Sequence, residues 1–456
     1  VISSDLLEAL QGRGLEAVLE PAQKLGNVAL KELEQDLASI HWPTLDRQLE
    51  ALKKGGTPSV GKLAPPPLAP PSTIPSHETQ EASQMGWNAL KEGRIALCTV
   101  AGGQASRLGF DAPKGAYPLG SVSGASLFQG MAGQVALLRK ETGIPIPWII
   151  QTGPGNHEDT IRFFSKRAFF GLSSSSIHFI CQGTLPALSL DGQLLLATPT
   201  SLFRNPDGHG GFYAALHAAG TFKLLREKGI DTLFYCQVDN PLVRMGDPAF
   251  LGHHLKSNAQ MSIKVVEKTD PEEKVGLVAL VDGTPSCIEY SDLAPELAKE
   301  KSQDGGLLFR AGNIAIHAFA LDFAESCATH PLELHLAHKK LFALDGGMQP
   351  VERDGVKFET FVFDALTRAD EVVVQMCERD EEFAPVKNRV GQDSIRTSRE
   401  ALDSRNRNWI SGSTLPSFNE RKRSEILPGI ALCGESLLQK ENDLSLIFRN
   451  SLLIED

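Results

Sequence analysis

The sequence has little of what would mark a membrane, secreted or fibrous protein. Nowhere in its 456 residues do about 18 apolar side chains run together, the length that a membrane-spanning helix needs. No basic, apolar leader ahead of a small-residue cleavage site is visible either. Cysteine is scarce: seven residues, an odd number, scattered without a C-x-x-C pair. That argues against a disulfide framework or a structural zinc site, so a reducing, cytoplasmic setting is expected. Positive charge is in deficit, with 45 Lys and Arg against 56 Asp and Glu and a net charge of −11. Nucleic-acid binding rests on cations neutralising phosphates and is not expected here, nor is a membrane partner. An anionic ligand must instead meet a local cluster of cations. No repeat of fixed period is present, and nothing in the sequence sets an oligomeric state.

What is present centres on one loop. Arg94-Ile-Ala-Leu-Cys-Thr-Val100 is a short apolar run of the kind that makes a buried parallel strand, and Ala101-Gly-Gly-Gln-Ala-Ser-Arg-Leu-Gly109 follows it. Gly102 and Gly103 let main-chain N–H groups approach an anion with no Cβ in the way. Arg107 and Lys114 add a planar fork and a point charge that can bracket a polyphosphate. A dinucleotide fingerprint needs G-x-G-x-x-G opening a helix, and this spacing differs, so hydride transfer is not expected. A second run, Gly56-Thr-Pro-Ser-Val-Gly-Lys62-Leu63, comes within one residue of a Walker loop. Leu63 replaces the metal-binding hydroxyl and no apolar strand precedes it, so it reads as solvated linker.

The rest of the chain frames that loop. Residues 5–52 are helical in pattern, with Leu30, Leu33, Leu37 and Ile40 forming an apolar stripe. Prolines 65, 66, 67, 70, 71 and 75 then impose an extended path that serves as a linker or a wrapping arm. From residue 127 onward, strand-like runs at 146–151, 177–181, 232–238 and 261–266 alternate with helical stretches such as 127–140 and 213–228. Such alternation means βαβ units: an α/β fold with a Rossmann-like, mostly parallel sheet. The expected division is 1–80, an N-terminal helical region with its proline arm; 81–390, the catalytic domain; and 391–456, a small C-terminal subdomain.

Ligands of such sheets bind beyond the carboxyl ends of the strands, where several candidates lie. Asp239 ends a strand and suits a hard cation, although Asp-Asn-Pro is equally good turn chemistry. Gln182 offers a donor and an acceptor that match the edge of uracil, or it is a surface-loop amide. Asp207-Gly-His-Gly-Gly211 opens a helix with glycines, Gly210 and Gly211 among them, that permit close backbone approach. Glu289 can accept from sugar hydroxyls, and Asn313 follows a permissive glycine. Phe361 and Phe363 alternate, so they share a face that walls a pocket or fills a core. Lys387, alone, reads as a solvated side chain.

Taken in order, these motifs resemble the eukaryotic UDP-N-acetylhexosamine pyrophosphorylase family over about residues 82–388, more weakly in the N-terminal helices and at 425–435. The resemblance implies a nucleotidyltransferase of glycosyltransferase-A-like fold with Mg²⁺ or Mn²⁺ at Asp239. Its ligands would be UTP, an N-acetylhexosamine 1-phosphate and the UDP-sugar product. It assigns catalysis to Arg107, Lys114 and Lys387, and the nucleotide to Ala101, Gly102, Gly103, Gln182, Gly210, Gly211 and Asp239. His209, Glu289, Asn313, Phe361 and Phe363 fall to the sugar. Two departures stand out. The family reads Gly-Gly-x-Gly-Thr-Arg where this chain has Ala105 and Ser106, which implies a divergent pyrophosphorylase-like paralogue with a methyl group where backbone should approach phosphate. The family also has Asn at the position of His209.

Overall fold

The run ahead of the glycine loop is the strand Ile95–Val100, buried along nearly its whole length. In the computed structural model, which describes residues 2–55, 61–290, 292–411 and 426, it lies between Trp148–Thr152 and Thr232–Gln237 and parallel to both. Ile177–Cys181 extends the parallel set to the sheet's edge. Strands covered on both faces need near-continuous apolar runs, and these have them. Beyond Thr232–Gln237 the direction reverses. Ala311–Ala320 runs antiparallel to it and carries Met261–Glu267 on its other side, which pairs in parallel with Val372–Cys377. The hairpin Leu277–Val281 and Thr284–Ile288 joins at Gly312. The ten-stranded sheet is therefore mixed, and its parallel Rossmann-like half presents the glycine loop at its carboxyl end.

Helices cover this half as their patterns predict. Leu127–Thr142 starts where the Ser126 side chain accepts from Gln129 N–H and stops at Gly143, φ 78°. Its Phe128, Met131, Val135 and Leu138 share a core with Trp148 and Phe164. The expected single helix over 213–228 is instead two, Phe212–Ala218 and Thr221–Glu227, because Gly220 between them adopts left-handed angles, φ 66°. A Cβ on Gly252 would stand 1.6 Å from Ala82 O, so the helices His77–Lys91 and Pro248–Lys256 meet backbone to backbone.

Residue contacts divide the chain into two units. The smaller takes the described residues of Val1–Ser59, Gln182–Phe212 and Pro331–Asp364; the larger takes the remainder. In the smaller unit the N-terminal stripes find their partners. Leu6, Leu10, Leu33, Leu37 and Leu45 pack with Leu188, Leu202, Val356 and Phe358. Buried Gln48 donates to Pro186 O at 2.9 Å.

In the larger unit the proline arm is an added edge. Leu63–Ala64 pairs with Leu277–Val281, Ala69 N–H donates to Val374 O at 2.8 Å, and Gln375 Nε2 donates to Pro70 O at 3.0 Å. The helix Ile395–Ser411 belongs to the same unit, with Arg405 Nη1 donating to Leu242 O at 2.8 Å and Trp409 Nε1 to Glu381 Oε2 at 2.8 Å. The contacts thus divide the chain differently from the expected 1–80, 81–390 and 391–456. Arm and helix both join the larger unit, while 182–212 and 331–364 leave it. Residues 56–60 of the Walker-like run, and 412–425 and 427–456 with most of the C-terminal similarity, lie outside the described residues.

Candidate active site

The glycine loop is held from below by main-chain and amide contacts. Ala101 N–H donates to Gln151 O at 2.7 Å, and buried Asn156 donates through Nδ2 to Ala101 O at 2.9 Å and Gly103 O at 3.2 Å. Lys114 N–H closes the loop onto Gly103 O at 3.1 Å. The N–H groups of Gly102 and Gly103 have no partner among the described residues, which leaves two adjacent donors uncommitted, and Gly103 is exposed. Arg107 is exposed and makes no ion pair among the described residues. Gly115, next to Lys114, is required by its surroundings, since a Cβ there would stand 2.2 Å from the Phe128 ring.

Lys114 and Asp239 meet although they are 125 positions apart: Nζ lies 3.3 Å from Oδ2, with both side chains largely shielded. Lys387 is tethered to the same strand end through its neighbour, because Val386 N–H donates to Asp239 O at 2.8 Å, while its own N–H donates to Asp393 O at 2.7 Å. Its ammonium is more exposed and lies 3.4 Å from Asp393 Oδ2. Among the described residues no group of three His, Cys, Asp or Glu side chains gathers to hold a metal. Asp239 is thus a single carboxylate facing the loop. That donor set fits Mg²⁺ or Mn²⁺ carried mainly by phosphate and water oxygens, and it does not fit an ion caged by protein.

Ala105 departs from its expected role. It is wholly buried, it belongs to the same apolar core as Leu108, Leu119 and Phe128, and its angles, φ −92° and ψ 23°, are open to any L-residue. Its N–H is spent on Ala112 O at 3.1 Å. The methyl group therefore points into the core. Motif comparison places a Cβ in the sequence but does not say which way it faces.

In the smaller unit a second cluster forms. Gln182 Nε2 donates to Asp207 Oδ1 at 3.1 Å and to Gly208 O at 3.2 Å. Burial pushes the Asp207 carboxyl up to about 7, against the Gln182 bond that lowers it. Gly210 N–H donates to Thr360 O at 2.8 Å, and Gly211 N–H to Gly208 O at 3.1 Å. His209 Nδ1 accepts from Val362 N–H at 3.1 Å, which places the neutral ring's proton on Nε2. Burial holds that imidazole down at about 4. Phe361 stacks on it at 5.2 Å and 22°, and Phe363 lies 5.4 Å away. The two phenylalanines come together at 5.2 Å, but not by strand alternation. The strand Pro350–Glu359 ends first, and a 3-10 turn, Val362–Arg368, carries Phe363.

Glu289 and Asn313 both flank Gly276 in the larger unit. Asn313 N–H donates to Gly276 O at 2.8 Å, and a Cβ on Gly276 would stand 3.7 Å from Glu289 Oε1. Part of the Asn313 amide is already used: Oδ1 accepts from Ala315 N–H at 2.8 Å, supporting a bulge at left-handed Ala315, φ 56°. Sequence reasoning missed Asp207 as a titrating group, Asn156 beneath the loop, and Arg389, whose guanidinium lies 3.7 Å from where a Cβ on Gly109 would be. Arg389 was in view, two residues after Lys387, and the charge pattern alone was the available signal.

Free loop amides at the end of a parallel strand, beside a lysine and a strand-end carboxylate, belong to an α/β protein that handles nucleotide phosphates. A solved structure from Trypanosoma brucei, the uridine diphosphate N-acetylglucosamine pyrophosphorylase in complex with an inhibitor, shares this fold at a TM-score of 0.83, covering 100% of this chain and 98% of that one at 22% identity. The chain belongs to the UTP–glucose-1-phosphate uridylyltransferase family, whose model matches residues 57–432. It is 35% identical to UDP-N-acetylglucosamine diphosphorylase 2 of Arabidopsis thaliana over 85% of this chain and 80% of that protein. It is 34% identical to UDP-N-acetylhexosamine pyrophosphorylase-like protein 1 of Mus musculus over 95% of this chain and 94% of that protein. Among the described residues no helix is long and apolar enough to cross a membrane.

Proposed function

We propose that the chain transfers a uridylyl group from UTP to an N-acetylhexosamine 1-phosphate, giving UDP-N-acetylhexosamine and pyrophosphate, and that this chemistry belongs to the span 81–390. The observation that carries the reading is the meeting of Lys114 with Asp239 together with the Gly102 and Gly103 amides that have no partner among the described residues. A sugar-phosphate oxygen forms the new bond to the α-phosphorus of UTP while the bond from that phosphorus to the bridging oxygen of the β-phosphate breaks. Phosphate oxygens are competent nucleophiles at neutral pH, so no covalent protein intermediate is needed and catalysis is positioning plus charge neutralisation.

In this reading Gly102 and Gly103 present their N–H groups to the phosphates, Ala101 anchors the start of the loop through its bonds to Gln151 and Asn156, Arg107 and Lys114 bind the leaving pyrophosphate, and Lys387 contacts the transferring group. A divalent magnesium or manganese ion, held by Asp239, would supply further neutralisation of phosphate charge. We assign Gln182, Gly210 and Gly211 to uracil and ribose, and His209, Glu289, Asn313, Phe361 and Phe363 to the sugar. The setting we assign is the cytoplasm, in keeping with the six described cysteines, all free thiols.

A second reading, a weakly active or inactive paralogue that binds UTP or UDP-sugar as a regulatory or interaction protein, rests on Ala105 in the phosphate loop. That methyl is buried in the core, which removes the steric ground for it. The deciding experiment is pyrophosphate release from UTP with GlcNAc 1-phosphate and GalNAc 1-phosphate in parallel, alongside calorimetric titration of UDP-GlcNAc. Turnover with either sugar phosphate that is lost in Asp239→Ala supports the enzyme and names its substrate. Product binding without any turnover would sink it.

A further inference from the structure

Asn240 follows Asp239, is almost wholly buried, and has no part in the roles assigned above. Its Nδ2 donates to Glu382 O at 2.7 Å, and its Oδ1 accepts from Leu242 N–H and Ala384 N–H, both at 3.2 Å. Two residues past Ala384, Val386 N–H returns to Asp239 O at 2.8 Å, and Lys387 comes next. One side-chain amide therefore ties the end of the strand that bears Asp239 to the segment that delivers Lys387. These contacts span about 140 positions of sequence and leave that segment little freedom to slide.

The far side of the same segment is fastened as well. The Glu382 carboxylate, fully buried, pairs with the Lys264 ammonium, which also holds Asp247 at 2.6 Å. Ser72 of the proline arm donates to Asp247 Oδ2 at 2.9 Å. Burial alone would push the Lys264 ammonium down, but Asp247 and Glu382 outweigh it and hold it up. A buried ion triad is a poor source of stability, because desolvation offsets its attraction. What it does supply is a defined place for Glu382, and so a rigid far anchor for the segment that Asn240 grips.

We propose that Asn240 is a positioning residue that sets Lys387 against Asp239 by fixing the backbone of residues 382–386 to the strand end. The inference rests on the reading of Lys387 as the cation at the transferring phosphate. A misplacement of about 1 Å in a group held this way costs up to about a hundredfold in rate. Binding of UTP, which the loop performs, is left intact.

The test is a double-mutant cycle on purified full-length protein, read as kcat and KM for UTP. Asn240→Ala is expected to lower kcat about tenfold with KM unchanged within about twofold. Combined with Lys387→Ala it should add less than about a twofold further loss to that of Lys387→Ala alone, because a lysine that is gone cannot be misplaced. Losses that multiply in full would overturn the inference, as would a wild-type kcat in Asn240→Ala. A wild-type kcat in Lys387→Ala overturns it too, but by striking the underlying role of Lys387, and that result needs no change at position 240. Should Asn240→Ala fail to fold, Asn240→Asp keeps the acceptor for Leu242 and Ala384, removes the donor to Glu382 O, and enters the same cycle with the same expectations.

Discussion

In the larger unit Arg107 is exposed with no ion-pair partner among the described residues, and Lys114 and Lys387 are each held by one carboxylate. In the smaller unit two groups of the second cluster are driven the other way: burial pushes Asp207 up to about 7 and His209 down to about 4, each toward its neutral form. The first region keeps charge available and pairs it only loosely. The second neutralises both groups, bonding Asp207 to Gln182 and stacking the His209 ring on Phe361. A group that must neutralise phosphate has to stay ionised and free to leave its partner, whereas a group that discriminates among neutral hydroxyl and amide partners gains from being uncharged and fixed. On the proposed roles the contrast separates rate from recognition, and substitutions can test each side.

The largest effect should come from the charged side. Lys114→Ala is expected to lower kcat on the order of 10²–10³, the loss seen when one contact to developing charge is removed. Turnover near wild type would break the comparison outright. Next comes Asp207, whose sign can be worked out. Its folded carboxyl titrates near 7, against about 4 in an unfolded chain, so the folded state holds an extra proton between those values. The stability it contributes is full below about pH 4 and lost as pH rises through 7. Urea unfolding of Asp207→Asn and wild type should therefore diverge by about 2 kcal/mol between pH 5 and pH 8, with wild type losing ground as pH rises. Parallel curves would mean that Asp207 is an ordinary carboxylate.

His209 gives a subtler test. Because its ring is neutral above about pH 4, the KM for sugar phosphate should not depend on its ionisation between pH 5 and 8. His209→Asn removes the stack with Phe361 and should shift that KM about tenfold while kcat moves less than about twofold. A change confined to kcat would move His209 to the catalytic side. The smallest effect concerns Ala105→Gly. Losing a buried methyl and freeing the backbone should cost about 1 kcal/mol in urea unfolding, with turnover and UDP-GlcNAc affinity unchanged. A gain in turnover would return Ala105 to the phosphates.

How much of this was legible beforehand follows from the range of each interaction. The strand before the loop, the glycines, and Asp239 at a strand end are local patterns, and the parallel half of the sheet formed from runs read directly in the sequence. The meeting of Lys114 with Asp239 crosses 125 positions and was reachable only through family resemblance. Lys264, Asp247 and Glu382 were out of reach, because a buried charge looks like a surface charge until its partners are known, and here one partner lies 17 positions away and the other 118. Gly220 shows the limit at short range: a glycine in a helical pattern is tolerated or breaks it, and packing decides which.

The proline arm carries a consequence for the protein among its own copies. A sheet's outer strand offers a row of unused N–H and C=O groups on which a neighbouring molecule can lay a strand of its own. Along Val372–Cys377 that place is already taken at Ala69, and the residues on either side of the contact, from Pro65 to Pro75, are rich in a residue with no N–H to offer. The arm works as a selvedge, a finished border that keeps the fabric of the sheet from being extended by a stranger.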